Sequence, residues 1–503
     1  MKLLKKDIME ERDYQRNIFL AASQKNTLCV LPTGLGKTNI AIMLAAYRLE
    51  KFPESKILVS APTRPLVNQH YRSFLRALEI DENKMCVLTG VIPSKKRGEM
   101  YKEKKIIFAT PQVIENDIKS GILSLRQFSL LVIDEAHHSI GGYAYPYIAK
   151  HYLKTAENPR ILGLTASPGG EAEKIKEICK NLGIDAVEIR TEQDKDVEPW
   201  VKTKKIEFTE VELPESFLKI KKLIEDAYKE RIEKLKKMGL IRKTRISKKE
   251  LLSLQINLQK AIKEGYKKAF AGSSMVAQAI KLEHALTLLE TQTIGVLEKY
   301  WKKLRDDKSN AAKSVIKDAK VSNAMWLTRG LYEKGSKHPK ISKLCSIVHQ
   351  QFQNKPDSKI IIFANFRDTV KEIVLSLKSV DNAKPVEFLG QKEGITQKEQ
   401  IKRLEEFKEG KYNVLVCTSV GEEGLDIPEM DLAVFYEAVP SEIRAIQRRG
   451  RVGRQKAGRI VFLITKKTRD KAYLWSAYQK EKKMRKVLYG MKEGCKKNKD
   501  FST

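Results

Sequence analysis

Apolar and polar positions along this chain follow two different periods, and the change of period divides it. From residue 28 to about 200, short continuous apolar runs alternate with longer amphipathic stretches. The runs are Leu28–Leu31, Ile57–Ser60, Ile106–Ala109, Leu130–Ile133 and Ile161–Leu164, each bounded by Gly, Pro, Thr or Asp. Unbroken apolar runs of this length mark strands buried on both faces, as in parallel sheets. The stretches between them are long enough for crossover helices, which predicts a doubly wound α/β domain. The same texture returns after residue 340, in Lys359–Phe363, Val386–Leu389, Asn413–Cys417, Leu432–Tyr436 and Arg459–Ile464. A second α/β domain of similar design is expected there, without a close sequence repeat of the first.

Between them, over roughly 203–338, the strand-like runs vanish. Ile220, Ile224, Tyr228, Ile232 and Leu235 recur at helical spacing, and so do Met275, Ala279, Leu282, Leu286, Leu289, Val296 and Tyr300. This predicts an all-helical domain inserted between the two α/β units. The expected division is 1–202, 203–338, 339–480, and a basic tail over 481–503.

Composition sharpens the partner. At 503 residues the chain exceeds the size of a single core, and 42% hydrophobic residues suffice for folded domains. Lys and Arg number 96 against 63 Asp and Glu, a net charge of +33. Such an excess calls for a polyanion, either nucleic acid or an acidic membrane surface. Residues 201–340 hold 33 Lys and Arg against 17 Asp and Glu, so about half of the excess lies in the insert. The segment Lys234–Lys249 reads as a loop or a solvated helix face. No apolar run approaches the ~18–20 residues of a membrane span, and the N-terminus breaks into charge before a signal core forms. The six cysteines are scattered without metal spacing, as reduced thiols of a cytoplasmic protein are.

Candidate chemistry follows from three blocks. Leu31-Pro32-Thr33-Gly34-Leu35-Gly36-Lys37-Thr38 lies between a predicted strand and a predicted helix. The glycines let backbone N–H groups wrap phosphates, Lys37 reaches the β- and γ-phosphates, and the Thr38 hydroxyl ligates Mg²⁺. Leu31 stands where the general pattern has its first glycine. Asp134-Glu135-Ala136-His137 ends an apolar strand, which assigns Asp134 to Mg²⁺ and Glu135 to the attacking water. Gln447-Arg448-Arg449-Gly450-Arg451-Val452-Gly453-Arg454 adds arginines three apart, with Arg451 and Arg454 suited to act as fingers on the γ-phosphate.

Read in order, these blocks and others between them resemble a superfamily 2 helicase core. The others are Tyr14-Gln15, Ala61–Leu66, Thr89-Gly90, Ala109-Thr110-Pro111, Thr165-Ala166-Ser167-Pro168, Ile360–Arg367 and Thr418–Pro428. Within that superfamily the phosphate loop, the segment Thr418–Asp426 and the long helical insert look like the archaeal Hef helicases and their FANCM and Mph1 relatives. The resemblance implies two RecA-like domains, ATP hydrolysis with Mg²⁺, 3′ to 5′ translocation, and remodelling of forked or branched DNA at the nucleoid. It implies Gln15 on the adenine side and Gly424 and Asp426 on the nucleotide side of the second domain, Asp426 near the ribose. Arg64, Thr110 and Thr418 become candidate DNA contacts, and His137, Thr165 and Ser167 the coupling between the two sites. Many Hef proteins also carry an XPF-type nuclease, whose motif is absent from these residues, so cleavage is not expected of them. The same broad clade holds double-stranded-RNA-stimulated ATPases of the RIG-I and Dicer type, and the sequence leaves that alternative open. A separate nuclease or a replication clamp as partner is not derivable.

Overall fold

The computed structural model describes residues 1–5, 8, 10, 12–166, 168–169, 172–201, 205–244, 246–266, 269–390, 396–418, 430–437 and 458–499. Two parallel sheets carry the fold. The first contains β1 (Thr27–Val30), β2 (Lys56–Ser60), β3 (Met85–Leu88), β4 (Ile106–Ala109), β5 (Phe128–Ile133), β6 (Ile161–Thr165) and β7 (Ala186–Ile189). Their order is β3-β4-β2-β5-β6-β1-β7, with every pair parallel. The second contains β8 (Lys205–Val211), β9 (Ile360–Phe363), β10 (Pro385–Phe388), β11 (Val414–Cys417), β12 (Leu432–Phe435) and β13 (Arg459–Thr465), ordered β10-β11-β9-β12-β13-β8. Helices cover the faces of the first sheet and form a separate apolar core on each side of it. Since all strands run the same way, the loops at their carboxyl ends share one edge, where such sheets bind ligands.

One boundary differs from the sequence reading. β8 was expected to open the helical insert, yet all seven of its residues pair with β13, from Lys205 opposite Arg459 to Val211 opposite Thr465. The Arg459 guanidinium closes the pairing with two hydrogen bonds to the Glu207 carboxylate, at 3.0 and 2.7 Å. An edge strand keeps one side in water, so Ile206 and Phe208 alternate with polar residues and no continuous apolar run announces it.

The insert itself is helical, with Glu215–Lys237, Lys248–Lys263, Ala269–Thr291, Ile294–Asp306, Asn310–Ile316 and Ala319–Glu333 packed around two cores. The series from Met275 to Tyr300 is split in two at Gln292 and Thr293. The basic segment is partly the end of one helix, then a loop, then the start of the next at Lys248, where Ser247 and Glu250 form a capping box.

Buried charges fix the insert to the second sheet. Glu290, 1% exposed, accepts from the Arg469 backbone and guanidinium and pairs with Lys221. Nearby, the fully buried Lys340 pairs with the fully buried Asp470 and donates to the Tyr436 carbonyl. The expected basic tail is not a separate unit either. A single helix, Arg469–Lys499, runs through residue 481, and Met484 and Val487 on it pack into the core of the first domain. The Tyr489 hydroxyl meets that of Thr191 at 2.7 Å. Among the described residues no helix is long and apolar enough to cross a membrane. Cys29, Cys86 and Cys417 are buried and form no disulfide among the described residues, as expected of the scattered cysteines.

Candidate nucleotide and nucleic-acid site

The phosphate loop links β1 to the helix Lys37–Lys51. Gly34 and Gly36 take φ of +86° and +77°, a region L side chains avoid. At Gly36 a Cβ would also lie 2.2 Å from Gln15 Nε2. No side chain caps the helix at Gly36, so the positive end of the helix faces the loop without a capping side chain. Lys37 Nζ donates to the carbonyls of Leu31 at 2.9 Å and Pro32 at 3.4 Å, which folds the loop around the ammonium. From the helix Asp13–Gln24, Tyr14 Oη and Gln15 Nε2 both donate to the Leu35 carbonyl, at 2.9 and 3.1 Å. Gln15 is thus brought to the loop and braces it from behind. Thr33 lies on the turn of the loop, and Thr38 is the second residue of the helix that follows.

Asp134 stands at the carboxyl end of β5 and is 7% exposed. Its Oδ1 accepts from the Glu135 N–H at 3.0 Å, and its Oδ2 meets His70 Nε2 at 2.8 Å. Tyr145 Oη donates to its carbonyl at 2.8 Å. Burial alone raises the carboxyl pKa; His70 and the Lys37 charge outweigh it and hold Asp134 below the ordinary carboxylate range. An ionised carboxylate beside a phosphate loop fits a divalent cation. Among the described residues there is no cluster of three or more metal-ligating side chains.

Glu135 takes φ +50°, a left-handed backbone that costs a non-glycine residue about 1–2 kcal/mol. That turn throws its carboxylate toward His137, whose Nδ1 lies 3.2 Å from Glu135 Oε2 and 3.2 Å from the Thr165 hydroxyl. The segments ending β5 and β6 are therefore joined side chain to side chain.

Two of the candidate DNA contacts, Arg64 and Thr110, sit at the carboxyl ends of strands of the first sheet, and the third, Thr418, at that of a strand of the second. Arg64 is the first residue of the helix Arg64–Ala77, and its Nη2 lies 4.0 Å from where a Cβ on Gly90 would stand. Thr110 precedes the helix Pro111–Lys119 at the end of β4 and is 9% exposed. Thr418 follows β11 in the second sheet and is 2% exposed. Both hydroxyls are thus largely covered, and Arg64 offers the more open group. Ser167, Gly424, Asp426, Gln447, Arg451 and Arg454 lie outside the described residues.

His70 is the residue sequence reasoning missed. It sits two turns into the helix that Arg64 begins, and its ring touches Asp134. Its placement in Val67-Asn68-Gln69-His70, at helical spacing from Phe74, reads as a core position.

The chain matches the DEAD/DEAH box helicase family over residues 12–175, a helical-bundle family of ATP-dependent RNA helicases over 216–333, and the helicase conserved C-terminal domain over 339–456. The crystal structure of the Hef helicase domain of Pyrococcus furiosus superposes with a TM-score of 0.74 at 44% identity, covering 94% of this chain and 100% of that one. The chain belongs to the Hef helicase family. As a family member it has relatives that extend further. A Methanocaldococcus jannaschii protein provisionally named an ATP-dependent RNA helicase is 45% identical over 97% of this chain and 62% of its own length. The FANCM protein of Arabidopsis thaliana, named a DEAD-box ATP-dependent RNA helicase, is 36% identical over 92% of this chain and 35% of its own length. A Neurospora crassa protein named ATP-dependent DNA helicase mph1 is 33% identical over 92% of this chain and 41% of its own length. The chain thus spans less than two thirds of each of these relatives. The two parallel-sheet domains and the helical bundle between them are as the sequence implied.

Proposed function

We propose that this chain is an ATP-driven DNA translocase, moving 3′ to 5′, that remodels forks and other branched duplexes. The supporting observation is the meeting of a phosphate loop, a carboxylate held ionised and the Arg64 helix at one edge of one sheet. In this reading Thr33, Gly34, Leu35, Gly36 and Lys37 bind the triphosphate, and Gln15 faces the adenine. Thr38 and Asp134 would hold Mg²⁺, whose chemistry there is to neutralise charge on the phosphates. Glu135 orients the attacking water. Gly424, Asp426, Gln447, Arg451 and Arg454 complete the site from the second domain.

ATP held between the two domains favours closure, and hydrolysis favours opening. His137, Thr165 and Ser167 carry the change to Arg64, Thr110 and Thr418, which grip backbone phosphates and so position the strand without reading sequence. The basic insert holds a duplex arm and rides with the second sheet, to which its buried ion pairs fix it. A DNA substrate assigns the protein to the nucleoid.

A second reading has a specific basis, since two relatives carry RNA in their names. ATPase rates with forked DNA, linear duplex DNA and duplex RNA separate the two. Stimulation is expected to be greatest with forks, and Lys37→Ala is expected to lose turnover by about 10²-fold or more while still binding forks. Stimulation by duplex RNA alone would move the assignment to RNA. Loss of fork binding in Lys37→Ala would remove the assigned role of Lys37.

A further inference from the structure

The helix Arg469–Lys499 has two contrasting sides. Its inner side is committed to structure: Arg469 to the insert, Leu474 to the second-sheet core, Met484 and Val487 to the first domain. Its outer side carries Lys471, Trp475, Tyr478, Lys482 and Lys486, all exposed, at steps of four, three, four and four residues. Those steps keep the five side chains on one stripe of an α-helix. Trp475 is 63% exposed and Tyr478 57%, with ring centroids 6.1 Å apart and planes 31° from parallel. Lys471 reaches Glu210 at 3.7 Å, a loose surface pair. Lys482, Lys483 and Lys486 make no ion pair among the described residues.

Single exposed aromatics are ordinary on protein surfaces. A neighbouring pair set in a row of lysines on a helix already anchored from behind is a different arrangement. Its apolar faces gain nothing from water, and its charges rule out an apolar or basic partner. Base rings stacked on aromatic faces, with lysines along the phosphates, satisfy both kinds of group at once. From Trp475 to Lys486 the stripe runs about 16 Å, room for a few nucleotides. We propose that the Lys471–Lys486 stripe is an auxiliary site for single-stranded nucleic acid, with Trp475 and Tyr478 as its stacking platform.

The inference rests on the nucleic-acid reading of the two cores, and the test keeps the two apart. Wild type, Trp475→Ala/Tyr478→Ala and Lys471→Ala/Lys482→Ala/Lys486→Ala are titrated by fluorescence anisotropy with oligo-dT, oligo-U and a blunt DNA duplex. Because the substituted side chains point to solvent, unchanged melting temperatures are expected. The aromatic double variant is expected to bind either single strand about tenfold or more weakly and the blunt duplex equally well, since a duplex offers no unstacked base. The lysine variant should lower the slope of log affinity against log salt by about 2 for single strands. Quenching of tryptophan fluorescence by oligo-dT should diminish in Trp475→Phe, which places the ring at the strand. Wild-type affinity and salt slope retained in the variants would overturn the stripe while leaving the helicase reading intact. Failure of the wild type to bind any of the three ligands would overturn both.

Discussion

His70 Nε2 lies 2.8 Å from Asp134 Oδ2, and this one contact ties the helix that begins with Arg64 to the carboxylate beside the phosphate loop. Both residues are buried, His70 at 4% exposure. On the proposed reading Asp134 holds Mg²⁺; a ring that donates to such a carboxylate fixes its orientation, and removing such a partner typically costs 10–100-fold in metal affinity. His70→Ala is therefore expected to raise the Mg²⁺ concentration needed for nucleotide binding about tenfold or more. His70→Gln, which keeps an N–H donor, should restore part of it. Equilibrium nucleotide titrations across Mg²⁺ concentrations give the answer without turnover. An unchanged Mg²⁺ requirement in a folded His70→Ala protein would remove His70 from the site.

Gly36 predicts a second effect. Alanine there meets φ +77° and a Gln15 Nε2 only 2.2 Å away. The backbone cost is about 1–2 kcal/mol, and displacing Gln15 from the Leu35 carbonyl adds about 1 kcal/mol. Gly36→Ala should therefore weaken the first domain by about 2–3 kcal/mol in urea unfolding. In a Gln15→Ala background the same change should cost about 1 kcal/mol less, because only the φ strain remains. Equal costs in both backgrounds would show that Gln15 does not pack against the loop.

What the sequence showed, and what it hid, follows from burial. All ten strands expected from apolar runs are present, and all but β10, which lies at a sheet edge and is half-buried, are buried along nearly their whole length. The three that went unseen are β3, β7 and β8, and all three lie at sheet edges. β7 is half-buried along most of its length, and β8 alternates, so neither makes a continuous run. β3 is apolar, but at the sheet edge one of its four residues, Val87, is only partly buried. The phosphate loop and Asp134 were legible because their chemistry is local to a few adjacent residues. His70 was not, because its partner lies 64 residues away. The docking of the C-terminal helix hid for a related reason. Met484 and Val487 are too few among lysines to make an apolar stripe.

The buried pair Lys340–Asp470 predicts how firmly the helix Pro339–Asn354 is held to the second sheet. Both side chains are fully buried, Lys340 also donates to the Tyr436 carbonyl, and Asp470 also accepts from the Thr465 N–H at 3.1 Å. Removing one member leaves an uncompensated buried charge, at about 3–5 kcal/mol. Lys340→Met alone should therefore destabilise the second domain by that amount. Lys340→Met with Asp470→Leu should recover only part, since the Tyr436 carbonyl and Thr465 N–H lose partners. Chemical unfolding of the single and double variants gives the comparison. Full recovery in the double variant would mean that the two backbone bonds contribute nothing.

His338 makes the stability of this same junction depend on pH. The ring is fully buried, and its Nδ1 accepts from the Lys340 N–H at 3.2 Å, capping the helix Pro339–Asn354. Burial, and then the nearby Lys340 charge, push its pKa down to about 3. In the unfolded chain a histidine titrates near 6.5. Above that value neither state binds the proton and the contribution to stability is complete. As pH falls below it, the unfolded chain takes up a proton that the folded ring refuses. Stability then declines by about 1.4 kcal/mol per pH unit until the folded ring titrates. Between pH 7 and pH 5 the loss from this group should be about 2 kcal/mol. His338→Asn keeps a side-chain acceptor for the helix cap and removes the titration. Urea midpoints of wild type and variant at pH 7, 6 and 5 should diverge in slope, with the variant flatter. Other acid-sensitive groups act equally on both proteins and cancel in the difference. Parallel profiles would mean that His338 is not held neutral by the fold.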